Sequence, residues 1–329
     1  MQSVKYKKYK ESFSYRDFLE WDFLKDKVDE ISSTWDSYDY IKSSIENGDL
    51  SQYVKEGSNI FDDAFSGVFL KNSAKLEEQS QQEIILLDSF YAFMWSYSYF
   101  MLVLHDYILE YHRVLSGEEP TANAPTNDML VGAVLVKQHA DCEIVHGNTK
   151  NSWKCYPGSQ AFLPNPFNYE ENREFYISKA NGIYCYAVAF ILGHEYHHFY
   201  YGDVFKQLDD EESKKNELFA DATSLEKYAL LEDPQEKKTF AAGIATALMA
   251  IYFLEKRDDF PKENVDNGHP SVIMRLQTDI EKLALSPEDP LYDYLGVIFE
   301  SYASRSLKNT CVQYASAYEY YKKMLTLME

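Results

Sequence analysis

The sequence predicts a mainly α-helical protein with a small β-sheet or hairpin ahead of its motif helix. Three observations carry this. Gly and Pro number only 13 and 10 in 329 residues, which disfavours a many-turned β-sandwich and favours long helices. Apolar residues recur at i, i+3, i+4 and i+7 through most of the chain, the period of a helix with one buried face. Hydrophobic residues make up 45% and aromatic residues 16%, with 28 Tyr and 20 Phe, enough for a large core and for a tyrosine-lined cleft.

Residues 1 to about 80 are polar and acidic with scattered aromatics, and helix-like spacing over Asp17–Val28 and Asp36–Ile45 predicts a helical wrapping layer. Lys75–Leu115 reads as one long central helix or two with a break, since Ile84, Leu87, Tyr91, Met94, Tyr97, Met101, Leu104 and Ile108 hold a period near 3.6. His105-Asp106 on it reads as a hydrogen-bonded core pair. Ser116–Asp128 concentrates Pro, Gly, Asn and Thr. It sets a soft boundary between a helical N-terminal region, 1–120, and a second region, 121–329, although the two can form one compact unit. Met129–Val136 is short, apolar and partly β-branched and predicts a strand, with Glu143–His146 as a second extended piece. Tyr169–Ala180 predicts a helix interrupted at Asn181-Gly182.

The next helix carries the motif. Tyr184, Ala187, Val188, Ile191, His194, Glu195 and His198 form one stripe, so both histidines continue the core-facing side. Gly202 supplies a stop. Asp209–Leu231 is a further helix closed by Pro234, with Glu217 and Asp221 one turn apart on one face. Lys237–Lys256 is a very apolar helix, and His269-Pro270 opens another, with Pro270 in its first turn. Beyond Pro290 two more helices are expected.

A formal net charge of −21 disfavours a nucleic-acid partner. Cys142, Cys155, Cys185 and Cys311 match no Cys-x-x-Cys pair, and reduced thiols fit a cytoplasmic location. The polar, lysine-rich Met1–Phe13 predicts no signal peptide. The apolar runs Phe90–Leu104 and Phe240–Leu254 read as buried helices rather than membrane spans.

His194-Glu195-x-x-His198 puts two imidazoles one turn apart on a helix, with a carboxylate beside them. Two such imidazoles can bind one metal ion, and Glu217 on the following helix can be the third ligand. One Zn2+ per chain is the expected cofactor, with a fourth position open for water. Glu195 is then the general base, Asp221 the acceptor that orients a ligating histidine, and His269 a donor to the oxyanion.

The combination His194-Glu195-x-x-His198, Gly202-Asp203, Glu217-x-x-Ala220-Asp221 and Gly268-His269-Pro270-Ser271 with Arg275 resembles the gluzincin metallopeptidases. More narrowly, it resembles the soluble bacterial zinc peptidases of the phage-exclusion (Lit-like) kind. The resemblance covers about residues 184–276. It implies a zincin-like domain in 121–329 and a cytoplasmic protease with a protein or peptide substrate, acting in response to infection. Two other readings stay open. Glu143-x-x-His146 and Glu195-x-x-His198 are the paired motifs of a di-iron carboxylate helical protein. The third reading is a catalytically idle zincin-like interaction module.

Overall fold

Residue 164 and residues 54–57, 68–73, 81–146, 174–201, 209–258, 269–304 and 315–328 are described in a computed structural model. Three short strands come first: β1 (Val54–Gly57), β2 (Val68–Ser73) and β3 (Gln81–Leu87). Their order is β1-β3-β2, with β1 parallel and β2 antiparallel to the central strand. Eight helices follow among the described residues: α1 (Asp88–Leu115), α2 (Asn127–His146), α3 (Glu174–Tyr201), α4 (Asp210–Leu230), α5 (Pro234–Glu255), α6 (Val272–Lys282), α7 (Pro290–Ser304) and α8 (Ala317–Leu325).

The mainly helical class holds, and the strands differ from the sequence reading. Met129–Val136 and Glu143–His146 both lie in α2. Thr126 Oγ1 accepts from Met129 N at 3.3 Å, which caps the start of this helix. The helix then buries Met129, Ala133, Val136, Ala140 and Ile144, a stripe at four- and three-residue intervals. A short apolar run does not by itself separate a buried strand from a buried helix, and here tertiary burial decides. Upstream, Gln81–Leu87 is a strand, so the central helix starts at Asp88 and the stretch up to residue 120 is not wholly helical. Asp17–Val28 and Asp36–Ile45 lie outside the described residues. Asn181-Gly182 does not break α3. Asn181 Oδ1 accepts from Trp95 Nε1 at 2.7 Å in the interior, and the helix runs on.

The core is a layer of helices around α3. α1 runs against it and buries residues on every side: Phe93, Met94, Trp95, Tyr97, Tyr99 and Met101 are all at most 2% exposed. α5 packs along α3 at close range. A Cβ at Gly243 would stand 2.6 Å from Tyr186 Cβ and 2.9 Å from Ala187 N, so only glycine lets the two backbones meet there. β2 and β3 lie against α3 as well. Two segments are long and apolar enough to cross a membrane, Phe175–Glu195 and Pro234–Glu255, but 76% and 72% of their apolar windows are buried in this core.

Helices α4, α5 and α6 are capped at their start. Asp209 caps α4 with a reciprocal capping box to Glu212. Asp233 caps α5, with Pro234 in the first turn. Ser271 caps α6, its Oγ accepting from Met274 N at 3.2 Å. His269 and Pro270 therefore precede the cap rather than form the first turn.

Candidate active site

The apolar stripe of α3 (Tyr176, Ile177, Ala180, Ile183, Tyr184, Ala187, Val188, Ile191) leads into His194 and His198, both buried. α4 crosses at this end. A Cβ at Gly193 would lie 2.9 Å from Ser224 Oγ, so the glycine before the first histidine is what lets α4 approach. That approach brings Glu217 and Asp221 to the histidines.

His194, His198 and Glu217 form the one group of three candidate metal-binding side chains among the described residues. His194 Nε2 and His198 Nε2 are 3.1 Å apart. Glu217 Oε2 stands 3.3 Å from His194 Nε2, and Oε1 3.2 Å from His198 Nε2. Donors 2.0–2.1 Å from a tetrahedral ion sit about 3.3–3.4 Å from one another, so this spacing fits a single small ion. Two imidazoles and one carboxylate suit a first-row transition metal; calcium and magnesium prefer oxygen alone.

The surroundings prepare these atoms. His194 Nδ1 is 2.8 Å from Asp221 Oδ1, which leaves Nε2 facing the cluster. Asp221 is fully buried and gripped by Arg275, with Nε to Oδ2 and Nη2 to Oδ1 both at 2.7 Å. Burial opposes ionisation of Asp221, but Arg275 and then His194 outweigh it and hold the carboxyl well below its usual range. Glu217 is also held low. Burial raises it, and hydrogen bonding to His194, His198 and His269 overrides that. For His194, burial pulls down while Asp221 and Glu217 push the imidazole up to about 10. The pocket thus strongly favours positive charge among its donors. Burial pushes the Glu195 carboxyl above its ordinary value, against the pull of His194 and His198.

His269 lies next to the cluster, with Nδ1 3.0 Å from Glu217 Oε2 and the side chain 47% exposed. His197, which the helix period turns off the metal-binding face as either a surface residue or a neighbour of the ligands, is not at the surface. It is buried, and its ring meets Phe219 of α4 edge-on at 5.0 Å. The side chains of Tyr196, Tyr200, Tyr201, Glu143 and His146, and all of Gly202 and Asp266, fall outside the described residues. Sequence reasoning takes Arg275 most simply as a surface or salt-bridging residue, with Asp266 as an alternative partner, and so missed the Arg275–Asp221 fork. It missed Asp279 as well, which is fully buried one turn beyond Arg275. The four-residue spacing of Arg275 and Asp279 is the signal that places both on one helix face.

A core helix bearing H-E-x-x-H, completed by a glutamate from the next helix, is compatible with a metallopeptidase. The Peptidase U49 family model matches residues 84–295, about two thirds of the chain. The chain belongs to this Lit-protease-like family and is a peptidase, a hydrolase of peptide bonds. No curated protein and no solved structure is significantly similar to it.

Proposed function

We propose that this peptidase is a zinc-dependent endopeptidase of the gluzincin type, acting on a cytoplasmic protein, with phage exclusion as its setting. The observation that carries the proposal is the 3.1–3.3 Å spacing of His194 Nε2, His198 Nε2 and the Glu217 carboxylate, which fits one tetrahedral ion. A zinc ion held there supplies Lewis acidity, acidifying the attacking water and polarising the scissile carbonyl.

The chain's own groups do the rest. Glu195 accepts the proton of the attacking water and passes it to the leaving amine. Burial holds its carboxyl above the ordinary value, which strengthens it as a base. Asp221 keeps Nδ1 of His194 protonated, so that Nε2 remains a donor of electrons. His269, already engaged with Glu217 through Nδ1, turns Nε2 to the oxyanion of the tetrahedral intermediate. The substrate binds as an added strand on the sheet. β2 is an edge strand beside α3, and among the described residues its outer edge has no strand partner.

The test compares wild type with Glu195→Gln. One zinc per chain in both proteins, with chelator-sensitive cleavage of cellular proteins only in the wild type, is the expected result. Two irons per chain, or unchanged cleavage by the variant, would refute the proposal. The phage-exclusion setting is tested by plaque counts in cells expressing each form, where equal counts remove it.

A further inference from the structure

Hydrolysis as described gives no part to Arg275, yet this buried guanidinium is among the best-placed side chains near the cluster. It stands one turn into α6, and it reaches back to α4 to fork onto Asp221 at 2.7 and 2.7 Å. We propose that Arg275 is a positioning residue that fixes the tautomer and orientation of His194 through Asp221, and thereby sets how tightly the site holds its ion. The inference rests on the zinc reading above.

The placement of protons supports it. Asp221 Oδ1 lies 2.8 Å from His194 Nδ1, so one proton lies between them. A guanidinium carries only donors, so both oxygens of Asp221 accept from Arg275 and the carboxyl has no need of its own proton. The shared proton therefore belongs to Nδ1 of His194. An imidazole protonated at Nδ1 presents its lone pair at Nε2, the atom that faces His198 and Glu217. Without the guanidinium, Asp221 is a carboxylate with no exposure to solvent, which would hold a proton or move away. Either outcome loosens the first ligand.

Two further features point the same way. Ser271 caps α6 directly ahead of the turn that carries Arg275, which fixes the height of the guanidinium. Lysine could supply the charge but not the two parallel bonds. A direct effect on Glu217 is the competing role, and Arg275 Nη1 lies farther from that ligand, 3.8 Å from Oε2. The two roles differ in how Arg275 and Asp221 combine.

The experiment measures Zn2+ affinity by chelator competition, and the visible spectrum of the Co2+-loaded protein, for wild type, Arg275→Met, Arg275→Lys, Asp221→Asn and Arg275→Met/Asp221→Asn. Loss of a partner that orients a metal ligand weakens binding about 10–100-fold, the effect expected of Arg275→Met and Asp221→Asn singly. Arg275→Lys should fall between wild type and Arg275→Met. The double variant should bind within about threefold of Asp221→Asn, because Arg275 acts through Asp221. Arg275→Met binding zinc as wild type does would overturn the inference, as would a double variant that loses the product of the two single losses. Should Arg275→Met alone fail to fold, the double variant removes both buried charges, and its comparison with Asp221→Asn separates the two roles in the same way. A wild-type protein that takes up neither ion would bring down the zinc reading and this inference together, whereas binding in the wild type confines any failure to the fork.

Discussion

Asp279→Asn should stabilise the protein at alkaline pH and leave it nearly unchanged in acid. Asp279 is fully buried, and among the described residues its carboxyl oxygens meet no hydrogen-bond donor in good geometry. Among the described residues the nearest cation is Lys282, with Nζ 3.5 Å from Oδ1. Burial first, and the charge of Asp221 second, push the carboxyl from its ordinary 3.8 to about 7, against Lys282 and Arg275. The folded state thus binds a proton that the unfolded chain releases, and stability falls as pH rises between those two values. At about 1.4 kcal/mol for each pH unit, the full penalty is on the order of 4 kcal/mol. Asparagine keeps the volume and cannot ionise, so urea unfolding of the metal-free variant should show a gain of roughly 2–4 kcal/mol at pH 8. At pH 4 the same comparison should show a difference of less than about 1 kcal/mol. A variant destabilised equally at both pH values would refute the reasoning, since it would mean that Asp279 is ionised and useful in the fold.

Gly243→Ala should cost on the order of 1–3 kcal/mol in urea unfolding, because its Cβ meets α3 backbone at 2.9 Å, and an unchanged midpoint would deny that α3 and α5 approach so closely. His269→Ala should lower turnover of the zinc-saturated protein at least tenfold, with zinc affinity falling no more than about 10–100-fold through the lost contact to Glu217, and failure to take up zinc even at saturation would make His269 a ligand instead. His105 links α1 to α7, with Nδ1 2.7 Å from Asp106 and Nε2 3.8 Å from Asp293. Burial lowers its pKa, but those two carboxylates more than reverse this, so it lies above its ordinary value. Its contribution is therefore full below the unfolded value and fades as pH rises through the folded one. His105→Gln should accordingly destabilise more at pH 5.5 than at pH 8.5, and the reverse order would exclude a charged His105.

Legibility in the sequence followed the range over which each signal acts. The helices α4, α5 and α6 were readable because each repeats its apolar positions over three turns or more, with a cap at hand: Asp209, Asp233 and Ser271 take that role. The three donors His194, His198 and Glu217 were readable for a similar reason, since one helix turn fixes the first pair and a glutamate four residues before an aspartate marks the third. Met129–Val136 misled because β-branched composition is local, whereas burial against α1 is not. Arg275 misled for the converse reason. The sequence places it nine residues from Asp266 and more than fifty from Asp221, and nothing local says that α6 folds back across α4. Yet that crossing ties the pieces together. Gly193 admits α4 to α3, α4 brings Glu217 and Asp221, and α6 sets Arg275 on Asp221 and delivers His269 to Glu217. His194 and Glu217 are thus each held by a residue from a different element. The motif names the candidate donor atoms, and on the inference drawn from Arg275 the packing of α6 on α4 determines which protons those atoms carry.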